Sequence, residues 1–226
     1  MSFDIREVRP SHYVVAAILG NWMQESSVNP GIWESLIPCP WDYMHTQNPM
    51  AGGYGLGQWT NTARSNMRCL NLHNYVISKG YQDGQADGQL MFLGQEDIWN
   101  LTSPRLGLPN LRSFLESTST DLESLTFDFL ICWEGINDGT FPVRYAAAQR
   151  FASYIQAHAN DDPALYNTCY TGNRILSDAE TLHNVMYIYF ALNGHLGAPA
   201  LSTTQLLVLI AASKRKNNYG KSWIQS

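Results

Sequence analysis

Glu25 is the first residue of this chain whose surroundings favour acid chemistry. It lies in the last turn of a helix predicted from the helical spacing of apolar residues, and Trp22, Met23 and Val28 flank it. The negative end of a helix dipole disfavours a carboxylate there, and apolar neighbours exclude water from it. Both effects favour the neutral carboxylic acid, the form that donates a proton to a leaving oxygen when a glycosidic bond is cleaved. By itself the position also fits a solvated glutamate at a helix end.

A glycine-rich segment is the second feature with chemical potential: Gly52-Gly53-Tyr54-Gly55-Leu56-Gly57-Gln58-Trp59. Its glycines lack the spacing of a dinucleotide-binding site, and the Gly-Lys-Ser/Thr ending of a phosphate-binding loop is missing. Because glycine has no side chain, the backbone can approach a ligand closely. The segment therefore predicts a binding loop that positions Gln58 and Trp59 at the start of the next helix. An ordinary glycine-rich turn is the alternative.

Taken together and in this order, the two segments resemble the phage tail lysozyme family, which is related to goose-type lysozymes and soluble lytic transglycosylases. The first run of similarity extends from Ala17 to Gly31 and contains the Glu25-Ser26 pair; the second extends from Gly53 to Thr60. In those relatives a Glu-Ser pair carries the catalytic acid, and a Gly-Leu-x-Gln segment, here Gly55 to Gln58, lines the cleft. The resemblance covers about residues 13 to 158.

The resemblance implies roles for several side chains. Glu25 would be the catalytic acid and Ser26 would support it; the other candidate substrate-binding residues are Tyr54, Leu56, Gln58, Trp59 and Glu134. Glu134 belongs to a looser third match, Cys132-Trp133-Glu134-Gly135, where the family usually has an aromatic residue followed by Glu-Arg-Pro. The Arg-Pro is missing here, which leaves the role of Glu134 open. Arg144-Tyr145-Ala146 matches the arginine and the alanine-rich helix that follow in the family.

A second carboxyl group for the reaction is not identified by the resemblance. Glu34, Asp42 and Glu134 are the candidates. A second acid that holds a water on the opposite face of the sugar would give inversion. Without one, the N-acetyl group of the muramic acid would assist and yield an anhydro product, as in the transglycosylase relatives. Both alternatives stay open.

By this resemblance we expect a bacteriophage glycosidase that degrades peptidoglycan. It would be a muramidase or a lytic transglycosylase that cleaves the β-1,4 bond between N-acetylmuramic acid (MurNAc) and N-acetylglucosamine (GlcNAc). Residues Met1 to Glu7 contain no apolar stretch, so no secretory signal is expected. The expected location is the phage tail, acting at the host cell wall, with peptidoglycan and other tail proteins as partners. The alternative is an inactive structural or glycan-binding tail module, which would need neither Glu25 nor Gln58.

Several other functional classes are disfavoured by composition and spacing. We expect no metal or cofactor, because the six histidines form neither His-Glu-x-x-His nor His-x-His and the four cysteines contain no Cys-x-x-Cys pair. A net charge of −5 without a basic stripe disfavours a nucleic-acid partner. The longest apolar run, Leu206 to Ala212, is too short to cross a bilayer.

Helical signals dominate the chain, so the predicted class is mostly α: an α+β lysozyme-like fold with a small sheet. Between Ile32 and Gly57, proline, glycine and aromatic residues predict an irregular or β flap. The predicted helices are one capped by Ser11 that ends near Ser26, one that starts after Trp59-Thr60 and runs to Gly80, one from Gln85 to Trp99, one after a capping box of Thr120 and Glu123, one from Val143 to His158, one after a capping box of Ser177 and Glu180, and one opened by Ser202.

The run Asn160-Asp161-Asp162-Pro163 predicts a domain boundary. It separates a catalytic domain, residues 1–160, from a helical C-terminal extension, residues 161–226. Within the extension, the segment from Asn184 to Gly194 resembles the helix that usually precedes the catalytic helix in the family. One hypothesis is therefore that the extension packs on, or is a circularly permuted part of, the same domain. The other is an independent helical pair that docks to another virion protein.

Overall fold

The computed structural model describes residues 2–39, 52–63, 66–96, 98–99 and 101–195. The predicted mostly α class is confirmed. The helices are α1 (His12–Ser26), α2 (Arg68–Ser78), α3 (Ala86–Leu93), α4 (Leu111–Leu115), α5 (Leu122–Phe129), α6 (Phe141–His158) and α7 (Asp178–Phe190). Helices α5 and α7 continue into the π-helical turns Leu130–Glu134 and Ala191–His195, and short 3-10 helices lie at Ile5–Glu7, Glu34–Leu36 and Pro163–Tyr166.

Helix α1 passes through the core of the protein. The Ser11 side chain accepts a hydrogen bond from the Val14 N–H at 3.3 Å, which confirms the predicted N-cap. Most of the α1 side chains are buried, because the helix packs against α5 and α6. At Gly20 a Cβ atom would stand only 2.6 Å from the Cβ of Ala148 on α6. Glycine at this position therefore permits the close approach of the two helices.

The turn after α1 is strained. The helix ends at Ser26, as predicted, and Ser27 and Val28 follow with left-handed φ values of 55° and 57°. This conformation is unfavourable for residues with a side chain, and most of all for β-branched valine. Helix α7 stabilises it, because Asn184 Nδ2 donates to the Val28 carbonyl at 2.9 Å and Thr181 Oγ1 donates to the Ser27 carbonyl at 3.4 Å. Helix α7 thus holds the turn that follows Glu25.

A small antiparallel sheet forms the flap beside α1. Its strands are β1 (Gly53–Tyr54), β2 (Trp59–Ala63) and β3 (Asn66–Met67), in the order β1-β2-β3. The predicted helix start at Thr60 is therefore wrong, since α2 begins only at Arg68. Trp59 and Thr60 are aromatic and β-branched residues that favour strands. The Asn61 side chain then accepts hydrogen bonds from the N–H groups of Cys69 and Leu70 at 2.9 and 3.3 Å, which satisfies donors in the first turn of α2.

Two further helix predictions need correction. The helix predicted from Gln85 to Trp99 extends only from Ala86 to Leu93, because the chain leaves it at Gly94, where the Gly94 carbonyl accepts from the Phe3 N–H. The N-cap of α5 is Asp121, whose carboxylate accepts from the Ser124 N–H at 3.1 Å, so the capping box predicted for Thr120 and Glu123 is wrong by one residue. The carboxylate reaches the free N–H of the third helical residue from this position.

The described part of the C-terminal extension packs on the rest of the protein. The capping box of Ser177 and Glu180 is confirmed at the start of α7. Val185, Met186 and Ile188 of this helix are buried in the same core cluster as the apolar residues of α1. The domain boundary and the circular permutation stay predictions, and the helix predicted to open at Ser202 lies outside the described residues.

We predict that Asn184→Ala lowers the free energy of unfolding by about 2–3 kcal/mol. The Asn184 side chain is fully buried, accepts from the Tyr170 N–H and donates to the carbonyls of Val28 and Tyr170. Alanine removes the partner of the buried Val28 carbonyl and of the two backbone groups of Tyr170. Urea unfolding measures the change, with Gln156→Ala on the exposed side of α6 as the control. Equal stability of the two variants would show that α7 does not hold the turn.

Candidate active site

Two adjoining cavities form a groove beside the C-terminal end of α1. Their volumes are about 330 Å³ and about 220 Å³, and Glu25, Gln58 and Thr60 line both of them. The first cavity is also lined by Trp33 and by the 3-10 helix Glu34–Leu36. The second also contains Gly57, Arg68, Glu134 and Ile136. Glu25 therefore lies where the two halves of the groove meet.

Glu25 is held by a buried arginine. Arg144 Nη2 donates to Oε1 of Glu25 at 2.5 Å, and the two side chains are 2% and 20% exposed, respectively. Arg144 itself is fixed, because its Nε donates to Thr140 Oγ1 at 2.7 Å and its Nη1 donates to the Asn21 carbonyl at 3.0 Å. Among the described residues, Oε2 of Glu25 has no hydrogen-bond donor. One carboxyl oxygen is thus anchored to the interior while the side chain lines the groove.

Ser26 connects the end of α1 to the glycine-rich loop. Ser26 is buried. Its hydroxyl oxygen lies 3.0 Å from the carbonyl oxygen of Trp22 and 2.7 Å from the carbonyl oxygen of Leu56. The loop needs glycine at position 57, because a Cβ there would collide with the indole ring of Trp133. Ser26 therefore lies behind the groove wall, where it fixes the loop next to Glu25.

The structure brings only part of the predicted sugar-binding set to the groove surface. Gln58 lines both cavities, and its amide donates to the carbonyls of Ile32 and Gly55 at 3.3 and 3.2 Å. The other three residues predicted from the loop are buried behind it: Tyr54, Leu56 and Trp59. Their rings and side chains support the wall, whereas Gln58 and Thr60 present polar groups to the groove.

Glu134 places a second carboxyl group in the second cavity. It ends the π-helical turn that follows α5, and its Oε1 is closed off from solvent and has no hydrogen-bond partner among the described residues. Burial raises the pKa of the Glu134 carboxyl well above its ordinary value. The charge of Glu25 raises this pKa further, while Arg68 and Arg144 lower it. The surroundings of Glu134 therefore favour the neutral carboxylic acid over the carboxylate.

Arg68 and Glu96 belong to the site but carry no sequence motif that identifies them. Arg68 Nε and Nη2 donate to the two oxygens of Glu96 at 3.0 and 3.1 Å, and the guanidinium lies 4.7 Å from the centre of the Trp133 ring. Glu96 also accepts from Trp59 Nε1 at 2.7 Å. Arg68 therefore lines the second cavity with a guanidinium that is already paired with Glu96.

The remaining candidates for a second carboxyl group differ in environment from Glu134. Glu34 is exposed at the first cavity, and its Oε2 accepts from the Gly53 N–H at 3.1 Å. Asp42 lies outside the described residues. Of the described candidates, Glu134 has a carboxyl oxygen that is closed off from solvent, and Glu25 is paired with a guanidinium. Two carboxyl groups in such different environments are the arrangement that separates acid and base roles.

A family model described as phage tail lysozyme matches residues 7–155 of the chain. The chain therefore belongs to the phage tail lysozyme family, which confirms the resemblance seen in the sequence. Membership indicates a lysozyme-type enzyme of a phage whose substrate is peptidoglycan. In the described ranges, no helix is long and apolar enough to cross a membrane, and no group of three or more His, Cys, Asp or Glu side chains could hold a metal ion.

We predict that Arg144→Lys lowers the rate of peptidoglycan solubilisation by about 10- to 100-fold. Lysine keeps the positive charge but cannot donate simultaneously to Thr140, Asn21 and Glu25 in the fixed geometry of the guanidinium. The control is Arg150→Lys on the same helix, where an exposed arginine pairs with Asp178. Activity of Arg144→Lys equal to that of the control would show that charge alone, and not the orientation of Glu25, is what Arg144 provides.

Proposed function

We propose that this protein cleaves the β-1,4 bond between MurNAc and GlcNAc in peptidoglycan, with Glu25 as the general acid. The position of Glu25 where the two cavities meet is the observation that carries this proposal. A glycan chain lying along the groove would have sugars on both sides of this residue. The scissile oxygen would then lie next to the part of the groove wall that both cavities share, which Glu25, Gln58 and Thr60 form.

The contacts of Glu25 suit an acid at the moment of proton transfer. When its proton moves to the glycosidic oxygen, the carboxyl group becomes negative. Nη2 of Arg144 already lies 2.5 Å from Oε1 of Glu25. A fixed positive group at a site of developing charge stabilises the transition state without reorganisation. The leaving oxygen takes the proton and departs as a hydroxyl group.

Two routes complete the reaction. A water molecule attacks the sugar and gives a reducing end, or the N-acetyl group of the muramic acid assists and an anhydro product forms. Mass spectrometry of the released fragments separates the two outcomes, because the anhydro product has one water less.

We further propose that the enzyme acts from the phage tail while the host cell wall is being penetrated. Family membership supports this location. Other tail proteins would then be its partners. Detection of the chain in purified virions by mass spectrometry, in stoichiometric amounts with tail proteins, tests the proposal, whereas its absence from virions would indicate a lysis enzyme.

We predict that Glu25→Gln lowers the rate of peptidoglycan cleavage by at least about 100-fold, because the amide cannot donate the proton that the leaving oxygen needs. Turbidity clearing of purified peptidoglycan measures the rate, and thermal unfolding checks that the variant is folded. Glu123→Gln, an exposed glutamate of α5, is the matched control. Equal clearing by wild type and Glu25→Gln would exclude Glu25 as the acid. No clearing by the wild type would favour a non-catalytic tail module instead.

A further inference from the structure

The Glu134 carboxyl lies at the groove and has no part in the reaction proposed above. Among the described residues its Oε1 has no hydrogen-bond partner and is closed off from solvent, although the Glu134 residue lines the second cavity together with Glu25. Buried polar groups in folded proteins are nearly always hydrogen-bonded, because an unpartnered group loses its bonds to water without compensation. A side chain kept in this state at a binding groove points to a functional role.

Four charged groups act on Glu134 from the surrounding elements. Glu25 acts from α1, Arg68 from α2, Arg144 from α6 and Glu96 from the segment after α3. Both arginines are engaged elsewhere, since Arg68 donates to Glu96 and Arg144 donates to Glu25. Neither guanidinium is therefore hydrogen-bonded to Glu134, which favours the protonated form of its carboxyl group beside the ion-paired Glu25.

We propose that Glu134 is a second carboxyl group of the reaction and shares one proton with Glu25 across the second cavity. This proposal rests on the proposed function, in which Glu25 protonates the leaving oxygen. Before substrate is cleaved, the proton resides on Glu134 and the Glu25 carboxylate is paired with Arg144. Carboxyl groups that interact closely in this way titrate as a pair that holds a single proton.

The proton then moves in a balanced sequence. Glu134 gives its proton to Oε2 of Glu25, directly or through a water in the cavity, and Glu25 passes a proton to the glycosidic oxygen. The bond between the sugar carbon and that oxygen breaks, with its electron pair remaining on the oxygen, which becomes a hydroxyl group. The attacking water or sugar hydroxyl loses a proton as it bonds to the carbon, and that proton returns to the pair of carboxyl groups.

Glutamine at position 134 separates a proton-sharing role from a structural one. Glutamine has nearly the shape of a protonated glutamate and is neutral, but it cannot give up or regain the proton. We predict that Glu134→Gln keeps KM near the wild-type value and lowers kcat at neutral pH by at least about 100-fold.

Glu134→Gln should raise the stability of the protein at neutral pH, although it lowers kcat. Since the pKa of Glu134 is raised in the folded state, the folded protein holds a proton that the unfolded chain has lost. Stability contributed by this group therefore falls as the pH rises from the ordinary glutamate value towards the raised pKa. Glu134→Gln removes this loss, so the variant should be more stable than the wild type at neutral pH, and loss of activity would not reflect unfolding.

The experiment compares the wild type, Glu25→Gln, Glu134→Gln and the control Glu123→Gln in pH profiles of kcat and KM. Carbon-13 NMR of labelled glutamate carboxyl groups follows the titration of Glu134 and does not require the protein to be enzymatically active. We expect the Glu134 titration to move to lower pH in Glu25→Gln, because the neighbouring negative charge is gone. Wild-type kcat and pH profile in Glu134→Gln, or a Glu134 titration unchanged by Glu25→Gln, would overturn proton sharing. Failure of the wild type to cleave peptidoglycan would instead overturn the proposed function, and the NMR titration would still decide whether the two carboxyl groups are coupled.

Discussion

Arg144 reaches Glu25 from the interior of the protein, and the rest of the groove is arranged around that ion pair. A buried guanidinium is costly unless all its donors find acceptors. Here each of the three guanidinium nitrogens of Arg144 donates one hydrogen bond, to the Thr140 hydroxyl, the Asn21 carbonyl and the Glu25 carboxylate. An ion pair of this kind is weak evidence for stability, because desolvation offsets most of the attraction. Its consequence is positional: helices α1 and α6 must keep their spacing, set at Gly20, for the carboxyl to stay at the groove.

The strained turn after α1 gives the C-terminal extension a role in the site. Ser27 and Val28 hold left-handed conformations immediately after the Glu25-Ser26 pair, and side chains of α7 bind both carbonyls. Ser26 meanwhile binds the Leu56 carbonyl of the glycine-rich loop. The end of α1 is thus tied to α7 on one side and to the flap on the other. The family match ends at residue 155, so this support comes from a part of the chain beyond it.

Local sequence signals predicted the parts of the molecule that depend on near neighbours. The Ser11 cap, the stop after Ser26 and the capping box at Ser177 follow from hydrogen bonds within a few residues, and all three are confirmed. The strand over residues 59–63 was missed, because the helical spacing of apolar residues downstream of it outweighed the β preference of Trp59 and Thr60. Arg144 contacts Glu25, and the desolvated Glu134 carboxyl feels the charge of Glu25, although each pair is more than a hundred residues apart in the chain. No local pattern encodes these two interactions. The family resemblance marked both positions, but only the packing of α1, α6 and the π-helical turn shows what surrounds them.

The proposed function requires that a glycan lies across both cavities with its scissile oxygen at Glu25. A crystal structure of the Glu25→Gln protein with a bound peptidoglycan tetrasaccharide tests this claim most directly. We expect sugars in both cavities and a glycosidic oxygen within about 3 Å of the side-chain amide at position 25. A saccharide confined to one cavity, with no glycosidic oxygen near that side chain, would contradict it.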